Sequence, residues 1–158
     1  LYQLTWQDGR LLVWNLRTMT LERELSYAGE GWGICWDGKR LVTSDGSARL
    51  TFRDPQTFEP QGDVTVRRDG IEVRALNELE CVEGLVYANV WQDQHIARID
   101  PRSGEVTGWI DASGLLAADE SIGTDVLNGI AWLPERGRFL ITGKQWPKTF
   151  EVDFVPTP

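Results

Sequence analysis

Basic residues are scarce in this chain of 158: 16 Lys and Arg stand against 24 Asp and Glu, a formal charge of −8 and a pI near 4.7, with no Lys/Arg-rich run. That footprint excludes a groove tracking nucleic-acid phosphates or an anionic membrane surface. Long apolar runs are missing too. Apolar residues make up 41% of the chain but come a few at a time, far short of the roughly 20 in succession that span a bilayer. The sequence opens on Leu1-Tyr2-Gln3-Leu4-Thr5-Trp6 without an initiator Met or a signal-like stretch, and reads as a processed or truncated start. Parts for metal and triad chemistry are also short. Cys35 and Cys81 lack C-x-x-C spacing, and His95 is the one imidazole. A catalytic zinc needs three or four such ligands, and a Ser-His-Asp triad has only His95 to draw on. His95, in Gln92-Asp93-Gln94-His95-Ile96, reads as a solvated turn residue leading into a strand. The cysteines either pair or sit as two buried free thiols on strands.

Helical periodicity is almost absent. Short alternating runs such as Arg40-Leu41-Val42-Thr43 and Ala48-Arg49-Leu50-Thr51-Phe52 are broken by turn signals such as Asp45-Gly46 and Asp54-Pro55, which predicts an all-β chain. Ala112 to Thr124 is the exception, expected as a helical turn or an ordered excursion. The strands repeat. Tyr2-x-x-x-Trp6-Gln7-Asp8 returns as Tyr87-x-x-x-Trp91-Gln92-Asp93, and Leu50-Thr51-Phe52-Arg53-Asp54-Pro55 returns as Ile96-Ala97-Arg98-Ile99-Asp100-Pro101. A second set reads Gly33-Ile34-Cys35-Trp36, Leu79-Glu80-Cys81-Val82 and Gly129-Ile130-Ala131-Trp132. Steps of roughly 40 to 50 residues with about four short strands each predict β-propeller blades. The chain then supplies about three and a half blades and starts in the middle of one. Because blades bury their faces against each other, a complementing N-terminal segment or a second chain is expected to close the ring.

With 8 Trp the chain holds more indoles than a core of this size requires. Trp14, Trp36 and Trp132 lie inside alternating strands and are expected to pack between blades. Trp6, Trp32 and Trp91 lie at strand ends beside Gly, Asp or Gln, where propeller residues point into the mouth of the central channel.

Leu76-Asn77-Glu78-Leu79-Glu80, Ala88-Asn89-Val90-Trp91-Gln92, Val126-Leu127-Asn128-Gly129-Ile130-Ala131-Trp132 and Thr142-Gly143-Lys144-Gln145-Trp146-Pro147 carry a resemblance, joined by Gly31-Trp32-Gly33 and Thr43-Ser44-Asp45-Gly46. Together, and in this order, they resemble glutaminyl-peptide cyclotransferases of the plant and bacterial type over about residues 1 to 153. The resemblance implies a five-bladed propeller, of which residues 1–158 form a single incomplete domain covering the C-terminal two-thirds. It also implies conversion of N-terminal glutamine in a peptide or protein to pyroglutamate with release of ammonia, and a secreted or periplasmic location. No metal or other cofactor is required, and a structural calcium stays open. The family's F-T-Q-G and F-G-E-G stretches, which supply a substrate-binding Gln and the catalytic Glu, lie upstream of Leu1.

Cyclisation is an intramolecular aminolysis, so nucleophile and carbonyl are already tethered. What remains is to hold the folded-back conformer and move one proton. The substrate-binding candidates implied are Trp6, Trp32 and Trp91 as an indole cage, Asn77 as an amide hydrogen-bonding the α-amine or γ-carbonyl, and Lys144 as a cation for the oxyanion. Glu78, Glu80 and Asn128 are secondary candidates. Residues two apart share a strand face, so the two glutamates would raise each other's proton affinity. Gly29-Glu30-Gly31 echoes the family's G-E-G, making Glu30 the catalytic candidate within this chain. The competing readings are a non-catalytic propeller binding peptide N-termini through a Trp-lined pocket, and a lactonase, for which Asp45, Asn77, Asn89 and Asn128 make a poor calcium set.

Overall fold

Short alternating runs between turn residues fold here as antiparallel meanders. The computed structural model describes residues 1–155, leaving 156–158 of the expected domain outside the described residues, and every regular element in it is a strand. A three-stranded sheet holds β1 (Tyr2–Leu4), β2 (Arg10–Trp14) and β3 (Leu21–Ser26). A four-stranded sheet follows with β4 (Gly33–Trp36), β5 (Leu41–Ser44), β6 (Arg49–Arg53) and β7 (Pro60–Thr65). After the hairpin of β8 (Arg67–Arg68) and β9 (Ile71–Glu72) come a second four-stranded sheet, β10 (Leu76–Val82), β11 (Leu85–Val90), β12 (His95–Ile99) and β13 (Val106–Asp111), and a last three-stranded one, β14 (Leu127–Leu133), β15 (Arg138–Gly143) and β16 (Phe150–Val152). Each sheet is bonded in chain order, as tight antiparallel turns require.

The repeat has a physical basis in one turn. Asn15, Asp54 and Asp100 each accept a backbone N–H from the residue two further on with their side-chain oxygen, an Asx turn. Four residues after each, Met19, Phe58 and Gly104 take positive φ and donate N–H to the carbonyls of Asn15, Asp54 and Asp100 at 2.8 Å. A register shift precedes the turn in each sheet, at Val13/Trp14, Phe52/Arg53 and Arg98/Ile99. The segment Ala112–Thr124 is an excursion of successive turns with one i→i+4 bond, from Ser121 N–H to Ala117, that does not propagate into helix.

The sheets stack face to face, so the core is divided into layers. Leu11, Val13, Leu41 and Phe58 fill the first interface, Val42, Leu50, Phe52, Leu79, Val86 and Ile99 the second, and Ile96, Leu127, Ile130, Phe139 and Ile141 the third. Strands between two layers are buried on both faces, as all four residues of β5 are. Along one edge of the stack β4, β10 and β14, the first strands of their sheets, lie side by side. Cys35 on β4 and Cys81 on β10 form a disulfide there, with Cα atoms 5.5 Å apart, which resolves the alternative left by the sequence. Trp132 packs on Phe139 in the third layer at 4.7 Å between rings. Trp14 and Trp36 depart from their expected packing role. Trp36 is half exposed, and Trp14 lines an open hollow at the β2–β3 turn with its indole N–H on Gln3.

Candidate active site

In a meander of antiparallel strands, the segment before the first strand, the turn after the second and the loop before the next sheet all emerge on the same rim. Glu30 and Trp32 precede β4, Asn77 and Glu78 open β10, and Asn128 opens β14. Trp6 follows β1, Trp91 follows β11 and Lys144 follows β15. By the repeat β1 matches β11, so these too are second-strand turns. The topology therefore gathers the candidate residues on one rim, with Glu80 one pleat further down β10. Backbone bonds lace the rim together: Trp91 N–H donates to Ala75 at 2.9 Å, Ala75 N–H to Gly46 at 2.9 Å and Gly46 N–H to Leu76 at 3.2 Å.

Four of the candidates touch in series. Trp6 and Trp32 both donate their indole N–H to Glu30 Oε2, at 2.9 and 2.7 Å, and Gln7 Nε2 donates to Oε1 at 3.2 Å. Trp32 in turn meets Trp91 edge to face, with ring centroids 5.8 Å apart and planes at 85°. Trp6 and Trp91 are substantially exposed, so the indole surfaces are open to a ligand. The hydrogen bond from Trp32, then those from Trp6 and Gln7, hold the Glu30 carboxyl below the ordinary carboxylate range. Gly46 makes this possible. Its φ is +80°, and a Cβ there would stand 2.7 Å from the Trp32 ring.

The remaining candidates sit toward the next sheet. Asn77 is buried, and its carbonyl accepts the Ser44 hydroxyl at 2.6 Å. Glu78 lines an open cleft of about 310 Å³ with Asn128, Leu140, Thr142 and Thr149, and its backbone N–H donates to Asn128 Oδ1 at 3.3 Å. Burial, reinforced by the like charge of Glu80, pushes the Glu78 carboxyl up to about 7. Glu80 is raised as well, by burial against a backbone hydrogen bond from Trp132. Lys144 is exposed on the same rim, anchored by backbone bonds with Val126 and Asp125 at 2.9 Å. Lys144 and Asn128 thus adjoin the Glu78 side of the rim, and Trp6 and Glu30 the other. His95 holds Asp93 Oδ1 at 2.6 Å, meets Trp109 edge to face and is half exposed; it is solvated as expected but opens β12 instead of lying in the turn.

Sequence reasoning missed the residues that fix the candidates in place. Besides Gln7 and Ser44, fully buried Asn89 accepts the Gly129 N–H at 3.1 Å with its Oδ1, while its Nδ2 has no partner among the described residues. The repeat carried a usable signal, since Ser44 closes β5 and Asn89 lies one residue from the end of β11, and each reaches the first strand of the next sheet.

Three similarities bear on this rim. Residues 1–154 match the family model described as glutamine cyclotransferase. The chain is 42% identical over 157 residues to a glutaminyl-peptide cyclotransferase of Arabidopsis thaliana, covering 96% of this chain and 49% of the plant protein. It thus spans about half the length of that curated relative. The crystal structure of Myxococcus xanthus glutaminyl cyclase superposes with a TM-score of 0.87 at 45% identity, over 96% of this chain and 67% of the other.

Proposed function

This chain belongs to the glutamine cyclotransferase family, and from that premise we propose that it converts the N-terminal glutamine of peptides to pyroglutamate with release of ammonia. The observation that carries the reading is the contact series Trp6, Glu30, Trp32 and Trp91 on one open rim. Indole faces suit a flat, neutral carboxamide and shed the water around it, favouring the folded-back conformer in which the α-amine faces the carboxamide carbon Cδ.

The amine nitrogen forms a bond to the carboxamide carbon, Cδ, the Cδ–NH2 bond breaks, and the proton lost by the amine leaves on the ammonia. Asn77 orients the amine or the carbonyl, and Lys144 offsets negative charge on the carboxamide oxygen. A free α-amine titrates at roughly 7.7–8.0. Among the carboxyls of this chain, Glu78, at about 7, has a proton affinity close to that of the amine, with Glu80 and Asn128 beside it, and is suited to carry the proton between the two nitrogens. These groups suffice for the scheme without a metal, so turnover is expected to survive a chelator.

The four large sheets read as consecutive blades of a five-bladed propeller. Two four-stranded and two three-stranded sheets amount to about three and a half blades, and the side-by-side first strands with interfaces between sheets support that reading. A further segment or a second chain would pair at the open edge of β1. The Cys35–Cys81 disulfide supports a secreted or periplasmic location, since such bonds persist in oxidising compartments.

The test is incubation with a glutamine-initiated dipeptide, with and without chelator, following ammonia and the mass of the product. Ammonia release in both supports the proposal. Binding without turnover would instead favour a peptide-terminus binding module, and loss of turnover on chelation would overturn the metal-independent scheme.

A further inference from the structure

Gly29-Glu30-Gly31 attracts a catalytic reading by its pattern, but the contacts of its carboxylate are of another kind. Both oxygens are engaged, and two of the three donors are indole N–H groups, which can donate and never accept. One oxygen, Oε2, ties together two tryptophans that lie 26 positions apart in sequence. The loop is built around that position. Gly31 N–H donates to the Trp6 carbonyl at 2.9 Å, and Tyr27 O–H donates to the Thr5 carbonyl at 2.7 Å. A side chain on Gly31 would collide with the Tyr27 hydroxyl and with Thr5, so the segment bearing Glu30 lies flush against the turn bearing Trp6. A group that must pick up and release a proton at the reacting nitrogen needs a free lone pair directed at substrate. Here Oε2 is fully taken by two indole N–H groups and Oε1 also holds Gln7, so three of about four acceptor sites are spent on the walls.

We propose that Glu30 is a positioning residue: its carboxylate fixes the rotamers of Trp6 and Trp32 through their indole N–H groups and, through the Trp32–Trp91 edge contact, pre-sets the three indole surfaces before substrate arrives. Charge-assisted hydrogen bonds are shorter and stronger than neutral ones, and an indole left without its acceptor turns about two side-chain torsions. Pre-ordering the walls lowers the entropy lost on binding, so its loss falls on KM more than on kcat. The role rests on the cyclase reading for its kinetic consequence, and not for its structural one.

The experiment uses the full chain as Glu30→Ala and Glu30→Gln, with the indole N–H resonances of Trp6 and Trp32 assigned through Trp6→Phe and Trp32→Phe. In Glu30→Ala both resonances are expected to shift, and KM for a glutaminyl dipeptide to rise about tenfold with a smaller change in kcat, the scale of a hydrogen bond to a charged group. Glu30→Gln keeps a carbonyl acceptor of the same length and is expected to restore most of both. Glu30→Gln as inactive as Glu30→Ala, with the resonances unmoved, overturns the proposal in favour of proton transfer by Glu30. Resonances and KM unchanged in Glu30→Ala overturn it outright. Absence of any turnover in the unaltered chain would sink the cyclase reading alone, because the indole resonances still decide the positioning role.

Discussion

Glu78 shows how one residue couples folding to pH. Its carboxyl is raised to about 7 by burial and by Glu80, so the folded chain keeps a proton that the unfolded chain releases near the ordinary glutamate value. The folded state therefore binds more protons between about 4.5 and 7, and stability is expected to fall as pH rises through that window, by at most about 3 kcal/mol. Glu78→Gln should flatten the slope, making the variant more stable than the parent at pH 8 and little different at pH 4. Urea unfolding at the two pH values checks this, and an unchanged slope would mean that Glu78 is ionised in the fold. The neighbourhood of these glutamates was legible in the sequence because residues two apart share a strand face. The partners of Glu30 were not. Trp6 and Glu30 are 24 positions apart, and only the way one turn lies on the next loop brings them together.

At the level of elements, the second sheet is latched to the third, and the third to the last, by a polar residue at or next to the end of a second strand. The Ser44 hydroxyl on the Asn77 carbonyl is the buried example. Ser44→Ala leaves that carbonyl without its partner, at a cost of about 1–3 kcal/mol in stability. Because Asn77 opens β10 on the candidate rim, KM for a glutaminyl peptide should rise as well. Chemical denaturation and steady-state kinetics measure the two effects, and a stability loss with KM unchanged would confine Ser44 to scaffolding. A serine closing a strand looks in sequence like any other turn residue, and its acceptor lies 33 positions on. Strand order was easier to read, because Asn15, Asp54 and Asp100 repeat one turn whose chemistry is local. Alternation located Trp14 and Trp36 on strands correctly, yet it cannot say how far a neighbouring sheet reaches along a face: Ile34, on the same face of β4 as Trp36, packs into the first layer, while Trp36 at the strand end is half exposed.

For the molecule as a whole, apolar layers and the hydrogen bonds of the rim join one sheet to the next, and a single covalent bond is added between β4 and β10. The Cys35–Cys81 bond closes a loop of 46 residues, and in the chain-entropy picture a loop of that size is worth about 4 kcal/mol. Reduction, or Cys35→Ser with Cys81→Ser, is expected to lower the unfolding free energy by up to that amount, and denaturation with and without reductant measures it. The β8–β9 hairpin lies inside that loop, with Arg68 and Ile71 exposed at its tip. A protease cutting once after Arg68 would sever the backbone and leave both fragments fastened at their inner strands. Such a nicked molecule would migrate as one species until reductant is added and as two afterwards, so an intact band on a non-reducing gel certifies the bridge rather than the continuity of the chain.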